Sequence, residues 1–408
     1  MTARTDARSD PAVPSALGPP LAGTRVVEVA NYVAGPYAGV LLADLGADVV
    51  KVEERDHGDP FRGWGDGGYS ATFRSLNRGK RSIGLNLATA VGRSILFDLA
   101  AQADVFIENF RPGVADRLGV GYETVRARNP RVVYCAISGF GETGPYRDRP
   151  GYDSVGQAVS GLLGLLTDLQ DPRPMGISLS DHITGMFACY GIQAALLGRA
   201  VTGEGRLVQT SLLQATTAFL AENAARYFDD GVVPDRATRT RIAQAYAFLA
   251  GDGKPFVVHL SSPPKFWQGL TDAIGRPELR EDPRFEDRDG RVRHYEELHS
   301  ILAGAFASAP RQEWLRKLDE RDVPAAPIYR LDEVFADPGV EALGLVETVV
   351  HPTAGSMRLL GSGVTIAGNV DSGAQLAPPL LGEHTVSVLH ELGHGDETIG
   401  QLRAEGVI

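Results

Sequence analysis

Cysteine is nearly absent: the 408 residues contain two, Cys135 and Cys189, each inside an apolar segment. Two thiols are too few for a disulfide framework or a zinc cluster, so both read as reduced packing residues and no metal site is expected. Long apolar runs are missing as well. The longest uncharged stretch, His182 to Gly198, contains His, Thr, Gln and several Gly, and falls short of the roughly 20 apolar residues a membrane span needs. Positive charge is in deficit: 40 Lys and Arg against 51 Asp and Glu give a formal charge of -11. That balance argues against nucleic acid or an anionic membrane as partner and points to a small-molecule enzyme. Residues 1–21 are rich in Ala, Pro, Ser, Arg and Asp with no apolar core segment. They read as a flexible N-terminal tail without a secretory signal, and the protein as cytoplasmic.

What is present is an ordinary globular composition, 43% hydrophobic and 22% charged, in a chain long enough for two domains. From Thr24 onward short strand patterns alternate with helical ones. Strands are predicted at Val26–Val29, Val49–Glu53, Ser82–Leu87, Val105–Glu108 and Val132–Ser138, with helices at Pro36–Leu45, Thr89–Gln102 and Gly121–Asn129. The alternation predicts an α/β domain with a doubly wound, mostly parallel, Rossmann-like sheet. Ligands bind such sheets beyond the carboxyl ends of the strands, so the loops after Val29, Glu53, Glu108 and Ser138 are the places to search. The first of them, Ala30 to Pro36, has no G-x-G-x-x-G; a nicotinamide enzyme is disfavoured.

Four stretches carry chemistry. Asn77-Arg78-Gly79-Lys80-Arg81-Ser82 is either a solvated basic turn or a phosphate site. Glu108 to Gly119 places Phe110, Arg111 and Arg117 after a strand end, where cations and an aromatic ring suit a nucleotide. Ser138 to Asp153 is a glycine-rich loop too long for a plain turn. Met175 to Met186 ends an alternating segment at Asp181, just before the uncharged run, whose Ile183, Met186, Phe187, Tyr190, Leu196 and Leu197 predict a buried helix. Asp181 either caps that helix or is a carboxylate kept ionised by the helix N–H groups and dipole, and so able to act as a nucleophile. A strand at Arg206–Leu212 and a helix to about Asp229 follow.

Beyond it, Ala245–Ala250 and Phe256–Leu260 form a predicted hairpin, followed by helices at Lys265–Ile274, Tyr295–Phe306 and Gln312–Asp322. Ser261 and Ser262 are placed to cap the first of these. His390-Glu391-Leu392-Gly393-His394 matches H-E-x-x-H. Gly393 and Gly395 are expected to end the helix there, which separates the two imidazoles and removes the zinc reading. The organisation expected is 1–21 tail, 22–229 large domain, 230–331 smaller α+β domain, and 332–408 returning to the large domain.

Several segments together are similar to class III (family III) CoA-transferases, the group with formyl-CoA:oxalate and carnitine CoA-transferases and α-methylacyl-CoA racemases. They are Val33-Ala34-Gly35-Pro36, Leu45 to Glu53, Asn77 to Ser82, Asn109-Phe110-Arg111-Pro112-Gly113, Ser138-Gly139-Phe140-Gly141, Gly176 to Gly185 and Pro378 to Thr385, in order over almost the whole chain. The resemblance implies Asp181 as the residue that carries the acyl group. It also implies coenzyme A contacts at Val33, Ala34, Leu85, Asn86, Leu87, Ala88, Asn109, Phe110, Arg111, Arg117, Pro150, Gly151, Tyr152 and Asp153. Where the family often has arginine this chain has Glu54, with Arg55 next to it as a replacement. Further implications are a small domain that closes over substrate and a homodimer of two interlocked chains. The glycine run of the oxalate-type enzymes is replaced by Leu260-Ser261-Ser262-Pro263-Pro264-Lys265, which argues against oxalate as acceptor. The implied reaction moves CoA from an acyl-CoA donor to a small carboxylic acid, with oxyanion donors sought at Gly139, Gly141 or Gly185. The alternative is an α-methylacyl-CoA racemase using Asp181 as acid/base, although Tyr152 stands where racemases place a histidine.

Overall fold

The computed structural model describes residues 18–366 and 376–408. All but the last residues of the expected tail lie outside them. The chain forms two compact units. One comprises Met1–Leu162, Met175–Leu220 and Leu345–Ile408; the other comprises Leu163–Pro174 and Ala221–Gly344.

The first unit is built on six strands: β1 (Arg25–Val29), β2 (Asp48–Glu54), β3 (Lys80–Leu85), β4 (Val105–Glu108), β5 (Val133–Ser138) and β6 (Leu207–Ser211). Their order is β3-β2-β1-β4-β5-β6 and every pairing is parallel. Each face carries an apolar cluster, as a sheet covered by helices on each side requires. Val26, Val49, Val105 and Val133 pack with Ala38, Leu42, Ala188 and Ile192 on one face; Val27, Val50, Phe106 and Tyr134 pack with Ile95, Leu96 and Leu389 on the other. The order reverses between β1 and β4, so the ligand crevice of this fold opens there.

The helix Leu179–Thr202 lies against Ala34–Asp44. Gly185 permits the approach: a Cβ there would stand 2.7 Å from the Ala34 carbonyl oxygen. Gly185 therefore serves helix packing, inside a continuous helix, and is not an oxyanion donor. The expectation of a fully buried helix needs correction. Ala188, Cys189, Ile192 and Ala195 face the sheet and Ile183 packs with Leu162 and Ala215, while Met186, Phe187, Tyr190, Leu197 and Val201 are exposed. Apolar residues occur all around this helix, so periodicity alone does not select the buried side.

The basic stretch at 77–82 is neither a solvated turn nor a phosphate site. Arg78 pairs with Asp44 (Nη2–Oδ2 2.8 Å), Lys80 with Glu28 (2.7 Å), and Arg81 with Asp48 (2.6 Å) and Glu391 (2.7 Å). β3 accordingly starts at Lys80, two residues earlier than expected. Lys51 joins the network through Glu28 and Asp59, both at 3.0 Å. Burial disfavours both ammonium groups; Asp59 and Glu28 outweigh it at Lys51, which is pushed up, whereas at Lys80 burial prevails and brings it down to about 8. Losing one partner from such a buried network costs about 3–5 kcal/mol. Near the chain end, the helix Thr385–Glu391 stops before Gly393, whose φ is 91°. A hairpin, Val346–His351 with Gly355–Leu360, was not expected from the sequence.

The second unit holds a three-stranded antiparallel sheet, Ala245–Leu249, Pro255–His259 and Ala325–Pro327, packed through Phe248, Phe256, Phe306 and Trp314. The helix Pro264–Ala273 begins after Pro263 and receives no side-chain cap, so Ser261 and Ser262 do not cap it. The expected helix to Asp229 is two helices, Leu212–Phe219 and Ala221–Asp230, and the second belongs to this unit. Among the described residues no helix is long and apolar enough to cross a membrane.

Candidate active site

At the switch point the loops after β1 and β4 are tied together. The Asn31 amide N–H donates to Asn109 Oδ1 (3.0 Å), and Asn109 Nδ2 donates to the Asn31 carbonyl (2.7 Å). Beneath them the buried Lys51 donates to the Ala30 carbonyl (2.6 Å), so the ion network fixes the loop from below. Tyr32 is held at φ 66° and meets Phe61 and Tyr152 edge-on, at 5.5 and 5.9 Å between ring centroids.

A cavity of about 180 Å³ opens among these loops. Tyr32, Val33 and Ala34 line it from β1, Asn109, Phe110, Arg111 and Pro112 from β4, and Ser138, Gly139 and Arg147 to Tyr152 from the loop after β5, Asp148 excepted. Ile137, Asp181 and Leu212 complete it. The long loop is pinned at its ends: Gly141 N–H donates to Ser138 Oγ (2.9 Å), and a Cβ on Gly151 would stand 2.7 Å from Gly139 Cα. Gly141's amide is thus already engaged; of the expected oxyanion donors, Gly139 alone borders the cavity.

Asp181 lies in the first turn of its helix, not at the cap, which is Ser178. Its amide N–H donates to Asp153 Oδ1 (3.1 Å), and the buried Gln157 Nε2 donates to Asp153 Oδ2 (2.5 Å) and to the Ile177 carbonyl (3.1 Å). Among the described residues no donor reaches the Asp181 carboxylate. Burial, and then the charge of Asp153, push it up to about 7. Burial and Asp153 thus act against the ionisation that helix N–H groups were expected to favour, and the amide of Asp181 itself is engaged by Asp153.

The remaining expected residues divide. Leu85, Asn86, Leu87 and Ala88 line a second cavity, about 330 Å³, with Val29, Asn31, Glu53, Glu54 and Phe110; Phe110 and the loop after β1 border both. Arg117, in the short helix Val114–Arg117, lines neither. Nor does Arg55, which pairs with Asp56 at 2.9 Å. Sequence reasoning does not single out Arg147, Arg149 or Gln157. Arg147 is oriented by the Glu142 carbonyl (2.9 Å) and Arg149 stacks over Tyr146 (4.0 Å). A cluster of arginines between prolines and glycines is the signal that could have marked them. One carboxylate and three guanidinium groups around a single cavity suit a polyanionic ligand that carries an electrophile.

The model of CoA-transferase family III matches residues 21–385. Human succinyl-CoA:glutarate CoA-transferase is 35% identical, the match covering 95% of this chain and 90% of that protein. Formyl-CoA:oxalate CoA-transferase of Streptomyces avermitilis is 35% identical over 95% of this chain and 99% of its own. Among solved structures, a CAIB/BAIF family protein from Brucella suis superposes with a TM-score of 0.81 at 35% identity, over 92% of this chain and 100% of that one.

Proposed function

Since the chain belongs to CoA-transferase family III and is an enzyme of that family, we propose that it moves CoA from a donor acyl-CoA to a small carboxylic acid through Asp181. CoA thioesters are the family's substrates. The observation that carries the residue assignment is the place of Asp181: an unbonded, partly buried carboxylate in the cavity at the switch point of the sheet.

Ionised Asp181 attacks the thioester carbonyl, forming a mixed anhydride and releasing CoA thiolate. The thiolate attacks the aspartyl carbonyl; the donor acid leaves and an aspartyl-CoA thioester remains. The acceptor carboxylate then runs both steps in reverse, which restores the aspartate. Each attack develops an oxyanion, for which Gly139 N–H is the candidate donor. Arg111, Arg147 and Arg149 are the cations offered to phosphate, alongside Val33, Ala34, Asn109, Phe110 and Pro150 to Tyr152; Leu85 to Ala88 border the adjoining cavity. Asp153 acts on Asp181 rather than on the ligand. The transferase names of the relatives favour transfer over racemisation, and Tyr152 stands next to Asp153 where racemases place a histidine. We also propose a homodimer, supported by the exposed Tyr190, Leu197 and Val201, which are 71%, 73% and 89% accessible on one helix.

Incubation with an acyl-CoA donor, hydroxylamine trapping and mass spectrometry should place the modification on the Asp181 peptide. Asp181→Ala should abolish transfer while leaving the fold intact. Normal turnover in that variant, or a label on another residue, would end the proposal.

A further inference from the structure

The second unit carries a cavity of its own, about 240 Å³, that shares no residue with the two described above. Three arginines line it: Arg226 from the helix Ala221–Asp230, Arg239 from Thr238–Ala243 and Arg288 from Arg288–Arg293. Glu222 is the acid among the lining residues, and it pairs with Arg239 at 3.1 Å. Among the described residues Arg226 has no ion pair or hydrogen bond. Arg288 donates Nη2 to the Ile242 carbonyl (2.7 Å) and keeps Nη1 3.7 Å from Asp289 Oδ1, while its buried Nε has no hydrogen-bond partner among the described residues. A buried guanidinium N–H without an acceptor is uncommon enough to require one. Ser261 turns at φ 49°, its amide donating to the Ala243 carbonyl (2.9 Å), and Ser261 and Ser262 join the lining. These two serines cap no helix, which leaves their hydroxyls available to the cavity.

Two guanidinium groups beyond the Arg239–Glu222 pair, with serine hydroxyls beside them, form a site for an oxyanion. The volume is that of roughly eight waters, room enough for a short acid. We propose that Arg226, Arg288 and the Ser261–Ser262 turn bind a carboxylate of a small dicarboxylic acid. The choice of acid class rests on the transferase reading; the binding itself does not.

The test is calorimetric titration of succinate, and separately of inorganic phosphate, into the full-length Asp181→Ala protein, which cannot turn over. Succinate should bind, and Arg226→Gln and Arg288→Ala should each weaken it at least tenfold, while Arg321→Ala, a surface control, leaves it unchanged. Arg226 is exposed and has no partner among the described residues, so Arg226→Gln keeps the fold and reads the site alone even if Arg288→Ala does not fold. Phosphate binding more tightly than succinate, succinate affinity indifferent to Arg226→Gln, or no succinate binding at all would each overturn the proposal. None of these results touches hydroxylamine trapping at Asp181, so the two readings fail separately.

Discussion

Replacing Asp181 by Asn should make the protein more stable at pH 8 and leave its stability unchanged near pH 4. Burial and Asp153 push the Asp181 carboxyl from 3.8 up to about 7. At 1.36 kcal/mol per pH unit, keeping it ionised in the folded protein costs at most roughly 4 kcal/mol. Asp181 is only partly buried, and screening by water reduces this to about 1–3 kcal/mol. The sign follows from proton linkage. Between about pH 4 and 7 the folded chain holds a proton here that the unfolded chain has lost, so wild-type stability falls as pH rises through that window. Asn carries no such penalty and is nearly isosteric. Urea unfolding of both proteins at pH 4, 6 and 8 should give a difference that grows from near zero to its full value. A difference independent of pH, or an Asn variant less stable at pH 8, would show that the carboxylate is not strained by its surroundings. The same variant should be inactive, which would make Asp181 a site where stability is given up for reactivity.

Transfer, measured as kcat/KM, should rise with pH through an apparent midpoint near 7, because only ionised Asp181 attacks. Asp153→Asn should move that midpoint down by about one pH unit, since one source of the upward push is the Asp153 charge; an unmoved midpoint would mean that the two carboxyl groups do not communicate. Sedimentation should report twice the 43.5 kDa chain mass, and Tyr190→Glu with Leu197→Glu should shift it to the monomer; a monomeric wild type would refute the dimer.

The sheet and its crevice were legible because parallel strands leave a repeated signal: short β-branched runs separated by helical stretches, with loops at predictable ends. Asp181 was legible as a junction between an alternating segment and an uncharged one. Its electrostatics were not, because whether a helix amide reaches a carboxylate depends on Asp153, twenty-eight positions away. Lys80 and Arg81 misled for a related reason. Charged residues usually mark the surface, and nothing local reveals that Glu28, fifty-two positions earlier, neutralises Lys80 inside the fold. The outward face of Leu179–Thr202 was hidden by its composition, which is apolar on every side.

The pinned loop after β5 has an evolutionary corollary. Its two ends meet where Gly139 and Gly151 touch: a Cβ on Gly151 would stand 2.7 Å from Gly139 Cα, and one on Gly139 3.0 Å from Gly151 Cα. Drift toward new substrates is thereby channelled into the exposed tip from Thr143 to Pro145, which can change without disturbing Arg147 and Arg149 in the cavity wall beside Asp181.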